Sequence, residues 1–135
     1  MKALREYNLI GNKHIPLDYK TASIKDRLEL LAGLLDTDGH LSKGCFDFIQ
    51  KNKTLANDVL FLCRSLGLAA YITKCGKSIS SIQFTGTYYR VSISGKCEII
   101  PTRLPRKQAT QRKQKKNVLL TSIKVEPVGY GNYYG

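Results

Sequence analysis

A chain of 135 residues suffices for one domain with a real core and needs no disulfide or metal staples. Its 22 basic and 10 acidic residues leave a formal charge of +12, which repels itself in isolation and points to a polyanionic partner. No apolar run approaches the roughly eighteen residues that cross a bilayer. Met1 to Tyr7 also lacks the apolar core of a signal peptide, so membrane and secreted classes are not expected. Cys45, Cys63, Cys75 and Cys97 form no Cys-x-x-Cys pair, and neither His14 nor His40 completes a zinc spacing. Buried thiols in a reducing, intracellular compartment (cytoplasm or nucleus) are the expectation.

Residues 1–22 hold a small apolar patch, Leu9-Ile10, then Gly11-Asn12-Lys13-His14-Ile15-Pro16, and read as a lead-in. Ser23 then caps a helix, with Asp26 three residues on in a capping-box-like position. Ile24, Leu28, Leu31 and Leu35 form its core stripe, and Leu30 and Leu34 broaden it. Gly33 inside that helix costs about 1 kcal/mol relative to Ala, which suggests close approach by another backbone. The helix ends in Leu30-Leu31-Ala32-Gly33-Leu34-Leu35-Asp36-Thr37-Asp38-Gly39, running straight into two carboxylates. The helix dipole disfavours acids at its C-terminal pole, so something cationic should compensate. A divalent metal is the economical candidate, because it prefers carboxylate and carbonyl oxygens. An ordinary amphipathic helix with an acidic last turn is the plain alternative. An EF-hand is excluded, since Leu34 and Cys45 would fall where its loop needs carboxylates.

A hairpin follows, His40–Ser42 and Cys45–Gln50 about a turn at Lys43-Gly44. Apolar residues on both sides of its second strand leave that strand's orientation open. Thr54 caps a second helix over 55–66, ended by Gly67. Strands over 69–74 and 85–94 come next, separated by a Gly/Ser-rich connection around 76–81. In the latter strand Tyr89, Val91 and Ile93 face one way and Tyr88, Arg90, Ser92 and Ser94 the other. Such a face is either solvated or laid against something polar. A short third helix is expected within 96–104, interrupted at Pro101. The run from Thr102 to Lys116 is strongly basic with no acid, a pattern that is either mobile and solvated or phosphate-binding. Finally, 118–125 alternates like a strand before Pro127 and the glycines break it.

Leu31, Ala32, Gly33, Leu34, Asp36, Asp38 and Gly39 are identical to the signature of the LAGLIDADG homing endonucleases, which this chain therefore resembles. The segments 11–16, 50–56 and 64–68, with Val125 to Gly135, further resemble the second endonuclease half of an intein. The resemblance implies an α+β fold, αββαββα, with an antiparallel sheet saddle packed on helices. Three parts are implied: a lead-in over 1–22, the endonuclease half over 23–116, and a splicing-domain strand stub over 117–135. It implies a helix interface through Leu31, Ala32, Gly33 and Leu34. Partners would be double-stranded DNA and either a second copy or a complementary first half.

The same resemblance implies catalysis of phosphodiester hydrolysis by Asp38, Gln50 and Lys107, with Arg106 as a rival for the last role. Mg²⁺ or Mn²⁺ would be held by Asp38 and the Thr37 carbonyl, while Asp36 supports the turn. DNA contacts are implied for His40, Lys43, Asp47, Lys51, Lys74, Tyr88, Arg90, Ser92 and Ser94 on the hairpins. Arg103, Arg106, Arg112 and Lys113 would add contacts from the basic run. A binding module without catalysis, or a fragment serving protein splicing, are the competing expectations. The usual splicing residues, a terminal His-Asn and an N-terminal nucleophile, do not occur in this sequence.

Overall fold

The structure is a computed structural model that describes residues 2–79 and 84–134. Two short helices, α1 (Lys2–Glu6) and α2 (Leu17–Lys20), lie in the lead-in. Then come α3 (Ile24–Asp38), β1 (Gly39–Ser42), β2 (Cys45–Gln50), α4 (Lys53–Ser65), β3 (Ala69–Ile79) and β4 (Phe84–Ser94). The four strands form one antiparallel sheet in the order β1-β2-β4-β3. From α3 onward the order is αββαββ, an α+β half with its helices on one face of an open sheet.

Local chemistry sets the ends of these elements. The Ser23 hydroxyl accepts the Asp26 N–H at 3.1 Å, capping α3 as expected. Helix α4 starts earlier than expected: Asn52, not Thr54, is the cap, its side chain accepting the Leu55 N–H at 3.0 Å. Its far end is a Schellman closure. Gly67 sits at φ +76°, with Gly67 N–H donating to Arg64 and Leu68 N–H to Cys63. At the β1–β2 turn Lys43 and Gly44 both take positive φ, 50° and 73°, the tight-hairpin conformation that matches strand twist.

The core lies between the helices and one sheet face. Leu31, Ala32 and Leu35 from α3, and Ala56, Val59, Leu62 and Cys63 from α4, cover Phe46, Phe48, Val91 and Ile93. This settles the orientation of β2: the phenylalanines go inward, and Cys45, Asp47 and Ile49 lie on the open face. Burial pushes the Cys63 thiol up to about 12 and the Cys97 thiol up to about 11. Both therefore remain protonated at neutral pH, and all four cysteines are free thiols.

Three expected elements differ. The β3–β4 hairpin is longer than expected, since Gly76 to Ile79 continue β3 in register with β4, while 80–83 lie outside the described residues. In place of a third helix stand two single 3₁₀ turns, Cys97–Ile99 and Pro105–Lys107. Pro101 removes an amide donor and biases the residue before it away from helical backbone. The segment 118–125 forms no strand, because no neighbouring strand offers its backbone a ladder, and Leu119, Ile123 and Val125 are exposed. Among the described residues no helix is long and apolar enough to cross a membrane.

Candidate active site and nucleic-acid interface

Helix α3 runs directly into β1, so the two acids of its last turn stand at the corner of the sheet. The β1–β2 register, with Gly39 opposite Phe48, brings the end of β2 alongside that turn. Gln50 Nε2 accordingly donates to Asp38 Oδ2 at 2.8 Å, uniting two residues 12 positions apart. Asp38 is exposed and has no ion-pair partner within 4.0 Å among the described residues. Asp36 faces away from it. Its carboxylate accepts the backbone N–H of Arg103 at 2.8 Å and of Leu104 at 3.2 Å, a support role as expected.

The cation that the acidic helix end demands is already in the chain. Lys107 is only 7% exposed, and its ammonium donates to the carbonyls of Leu35 (2.8 Å), Asp36 (2.5 Å) and Thr37 (3.3 Å). It thus compensates the negative pole of α3. Two expected site groups therefore lie together here. Lys107, expected in catalysis, is engaged with helix carbonyls, and the Thr37 carbonyl, expected to reach a metal, lies beside that ammonium. Arg106 is exposed next to it. The segment carrying Lys107 closes on itself through Thr102 Oγ1, which donates to the Lys107 carbonyl at 2.7 Å. Asp36 and Lys107 together clasp this strap to the motif from both sides.

The two motif glycines have different reasons. A Cβ on Gly39 would lie 2.7 Å from the Leu35 carbonyl oxygen, so the chain's own turn needs glycine there. A Cβ on Gly33 would meet nothing within 4 Å. Gly33, Thr37 and the half-buried Leu30 and Leu34 form an open strip of α3. Leu31 and Ala32, expected at a helix–helix interface, are instead fully taken up by the core, because they share the inward face with Leu35.

The sheet face opposite the helices is uncovered and polar. His40 pairs with Asp47, Asp47 with Ser92, and Ile49 with Arg90 across the strands. Ser92 Oγ donates to Asp47 Oδ1 at 2.8 Å, and Tyr88 and Ser94 continue the same face by alternation. Lys43 stands in the β1–β2 turn and Lys51 follows β2. Lys74 is displaced from this set: it shares the parity of Ala70 and Ile72, which pack on the core, and so belongs to the helix side beyond α4.

The basic run borders the open face. Arg112 donates to the Lys43 carbonyl at 3.4 Å and to Cys45 Sγ, and Gln114 Nε2 to the Gly95 carbonyl at 2.7 Å. These anchors leave Lys113, Lys115 and Lys116 exposed, and the last two line a groove of about 460 Å³ with Tyr71 and Ser94. Arg103 instead turns toward Glu29 on α3, at 3.9 Å.

Sequence reasoning missed Asp58. It is buried in α4, accepting the Ile15 N–H at 2.8 Å and the Lys20 ammonium at 2.7 Å, and so pins the lead-in to the core. An aspartate interrupting the apolar positions of α4 was the available signal. Among the described residues no three His, Cys, Asp or Glu side chains gather as a metal site.

Two comparisons with known proteins bear on this arrangement. The replicative DNA helicase DnaB of Mycobacterium intracellulare is 51% identical over 65 residues, which is 47% of this chain. The match covers only 11% of that curated relative. The family model of the LAGLIDADG-like domain matches residues 25–100, from the start of α3 through β4 to the turn beyond it, and the chain belongs to the LAGLIDADG homing endonuclease family.

Proposed function

We propose that this chain is one half of a metal-dependent, site-specific DNA endonuclease. The observation that carries the reading is the exposed Asp38, held by Gln50 at the corner of an uncovered polar sheet face. Seated on a duplex, that face would present Tyr88, Arg90, Ser92, His40 and Asp47 to base edges. Arg106, Arg112, Lys113 and the lysines of the rim would lie along phosphates, which fix register and supply the salt-dependent part of affinity. The net charge of +12 fits such a partner.

Asp38 and the equivalent acid of a second LAGLIDADG half, from another copy or a complementary chain, would together hold Mg²⁺ or Mn²⁺. Such an ion lowers the pKa of bound water and neutralises charge at the scissile phosphate. Asp38 supplies the carboxylate. Gln50 restricts its rotamer and retains an amide oxygen able to accept from an attacking water. Lys107 and Asp36 hold the turn on which Asp38 stands. The open strip of α3 over Gly33, where nothing internal requires a glycine, suits the close approach of that second half.

The test is cleavage of target-bearing duplex in Mg²⁺, with Asp38→Asn beside the wild type. Loss of cleavage with binding unchanged supports the reading. Equal loss of both would mean that Asp38 is structural. A binding module without catalysis would retain affinity and never cut. One observation favours a second reading, in which the chain is a piece of an intein: a short, strong match inside a much longer helicase. An unpaired, strand-like tail agrees with it. Mixing with a complementary fragment and assaying ligation of the flanking chains tests it.

A further inference from the structure

The lead-in does not lie flat on α3. Ala3, Leu4, Tyr7 and Leu9 form one wall, and Leu30 and Leu34 of α3 the other, of an apolar cavity of about 280 Å³. Asp58 and the Tyr7–Tyr19 edge-to-face contact, with ring centroids 5.6 Å apart, keep the lead-in in place around it. The cavity is continuous with the open strip, because Leu30 and Leu34 belong to both. Three large exposed apolar side chains, Leu4, Tyr7 and Tyr19, line this cavity.

Charge divides along the same line. Residues 1–38 carry six basic and six acidic side chains, so the entire +12 belongs to residues 39–135. A polyanion is drawn to the sheet and basic run and has no electrostatic reason to sit on the lead-in. A second copy approaching this neutral side brings no excess of like charge into direct contact, and the +12 of each chain lies farther off, where salt screens it.

We propose that the cavity between the lead-in and α3 is a socket for an apolar side chain of a second copy, making the lead-in part of the pairing surface. This rests on Asp38 being half of a paired site, and it adds a recognition element outside the motif.

The test is sedimentation of the full chain from about 1 μM to about 1 mM. The variants are Ala3→Trp, which fills the socket, Leu4→Glu, which makes its wall polar, Gly33→Arg, which blocks the strip, and Lys113→Glu as control. The chain has no tryptophan, so a blue-shifted indole emission in Ala3→Trp reports that the cavity is filled. The expected result is a wild-type dimer weakened at least tenfold by Ala3→Trp and by Leu4→Glu and unchanged by Lys113→Glu. A wild type that stays monomeric throughout overturns the socket. So does association lost in Gly33→Arg but untouched in both lead-in variants, which would leave helix pairing alone. Closure of the cavity by the chain's own tyrosine-rich tail would leave association unaffected by the lead-in variants, and overturns it likewise. A dimer that behaves as expected yet binds no DNA would instead sink the endonuclease reading and leave the socket standing.

Discussion

Replacing Lys107 by Met keeps the length of the side chain and removes its charge from the end of α3. The ammonium's three donors all point at helix carbonyls, at 2.8, 2.5 and 3.3 Å. Their loss is not three full bonds. The Leu35 carbonyl also accepts from the Gly39 N–H, and exposed Thr37 has access to water. What remains is one orphaned inner acceptor, worth about 1–3 kcal/mol. To this is added the helix-pole interaction, about 0.3–2 kcal/mol in a partly buried setting. A loss of about 2–4 kcal/mol follows, or roughly 8–16 °C in Tm for a domain of this size. Urea unfolding followed by circular dichroism measures it as a lower midpoint at unchanged slope. Lys113→Met, an exposed control, should stay within about 0.5 kcal/mol. Asp36→Asn loosens the same strap, so the double variant should show a coupling of at least about 0.5 kcal/mol. A Lys107→Met chain as stable as the wild type would refute the clasp and return Lys107 to the list of groups free to meet a substrate.

Gly33→Ala should stabilise the isolated chain by up to about 1 kcal/mol, because the site is open and alanine is the better helix former. Gly39→Ala should destabilise it, its Cβ falling 2.7 Å from a backbone oxygen; paired thermal melts read both signs. Asp58→Ala orphans the Ile15 amide and the Lys20 ammonium, and limited proteolysis should then cut within residues 2–20 before the rest of the chain. Thiols held up to about 12 and about 11 by burial ionise more readily once unfolded. Stability should therefore fall as pH rises from about 9 toward 12, while at pH 8 Cys63 and Cys97 resist alkylation that reaches Cys45 or Cys75.

Much of this fold was legible wherever one residue type has one local use. Ser23, Gly67 and the Lys43-Gly44 pair mark ends and turns through backbone chemistry that needs no tertiary partner. The alternation from Tyr88 to Ser94 likewise assigned the two faces of β4 correctly. What stayed hidden depends on contacts across the chain. The expectation of a cation at the acidic end of α3 was sound, yet the lysine that answers it lies about 70 positions away. Nothing local distinguishes Lys107 from its basic neighbours. Leu31 and Ala32 were assigned to a partner because the motif is read as a block, whereas a helix divides such a block between faces every residue or two. The tail shows the converse limit: strand-like alternation makes no strand without a neighbouring edge.

Beyond the reach of β2, whose pairing with β4 ends at Tyr89, the outer part of the β3–β4 hairpin continues as a ribbon of two strands. The whole hairpin, eleven residues per strand at about 3.4 Å each, is roughly 37 Å long, close to one helical repeat of B-form DNA. Two strands abreast also fit a major groove about 12 Å wide. Among the described residues no third strand pairs with this outer part, so it can bend out of its own plane more readily than the Asp38 corner, which stays seated on the core. A single copy would thus span about ten base pairs, braced where β2 flanks the hairpin and less so beyond it, so that tolerance for changes in a target should increase outward from the cut.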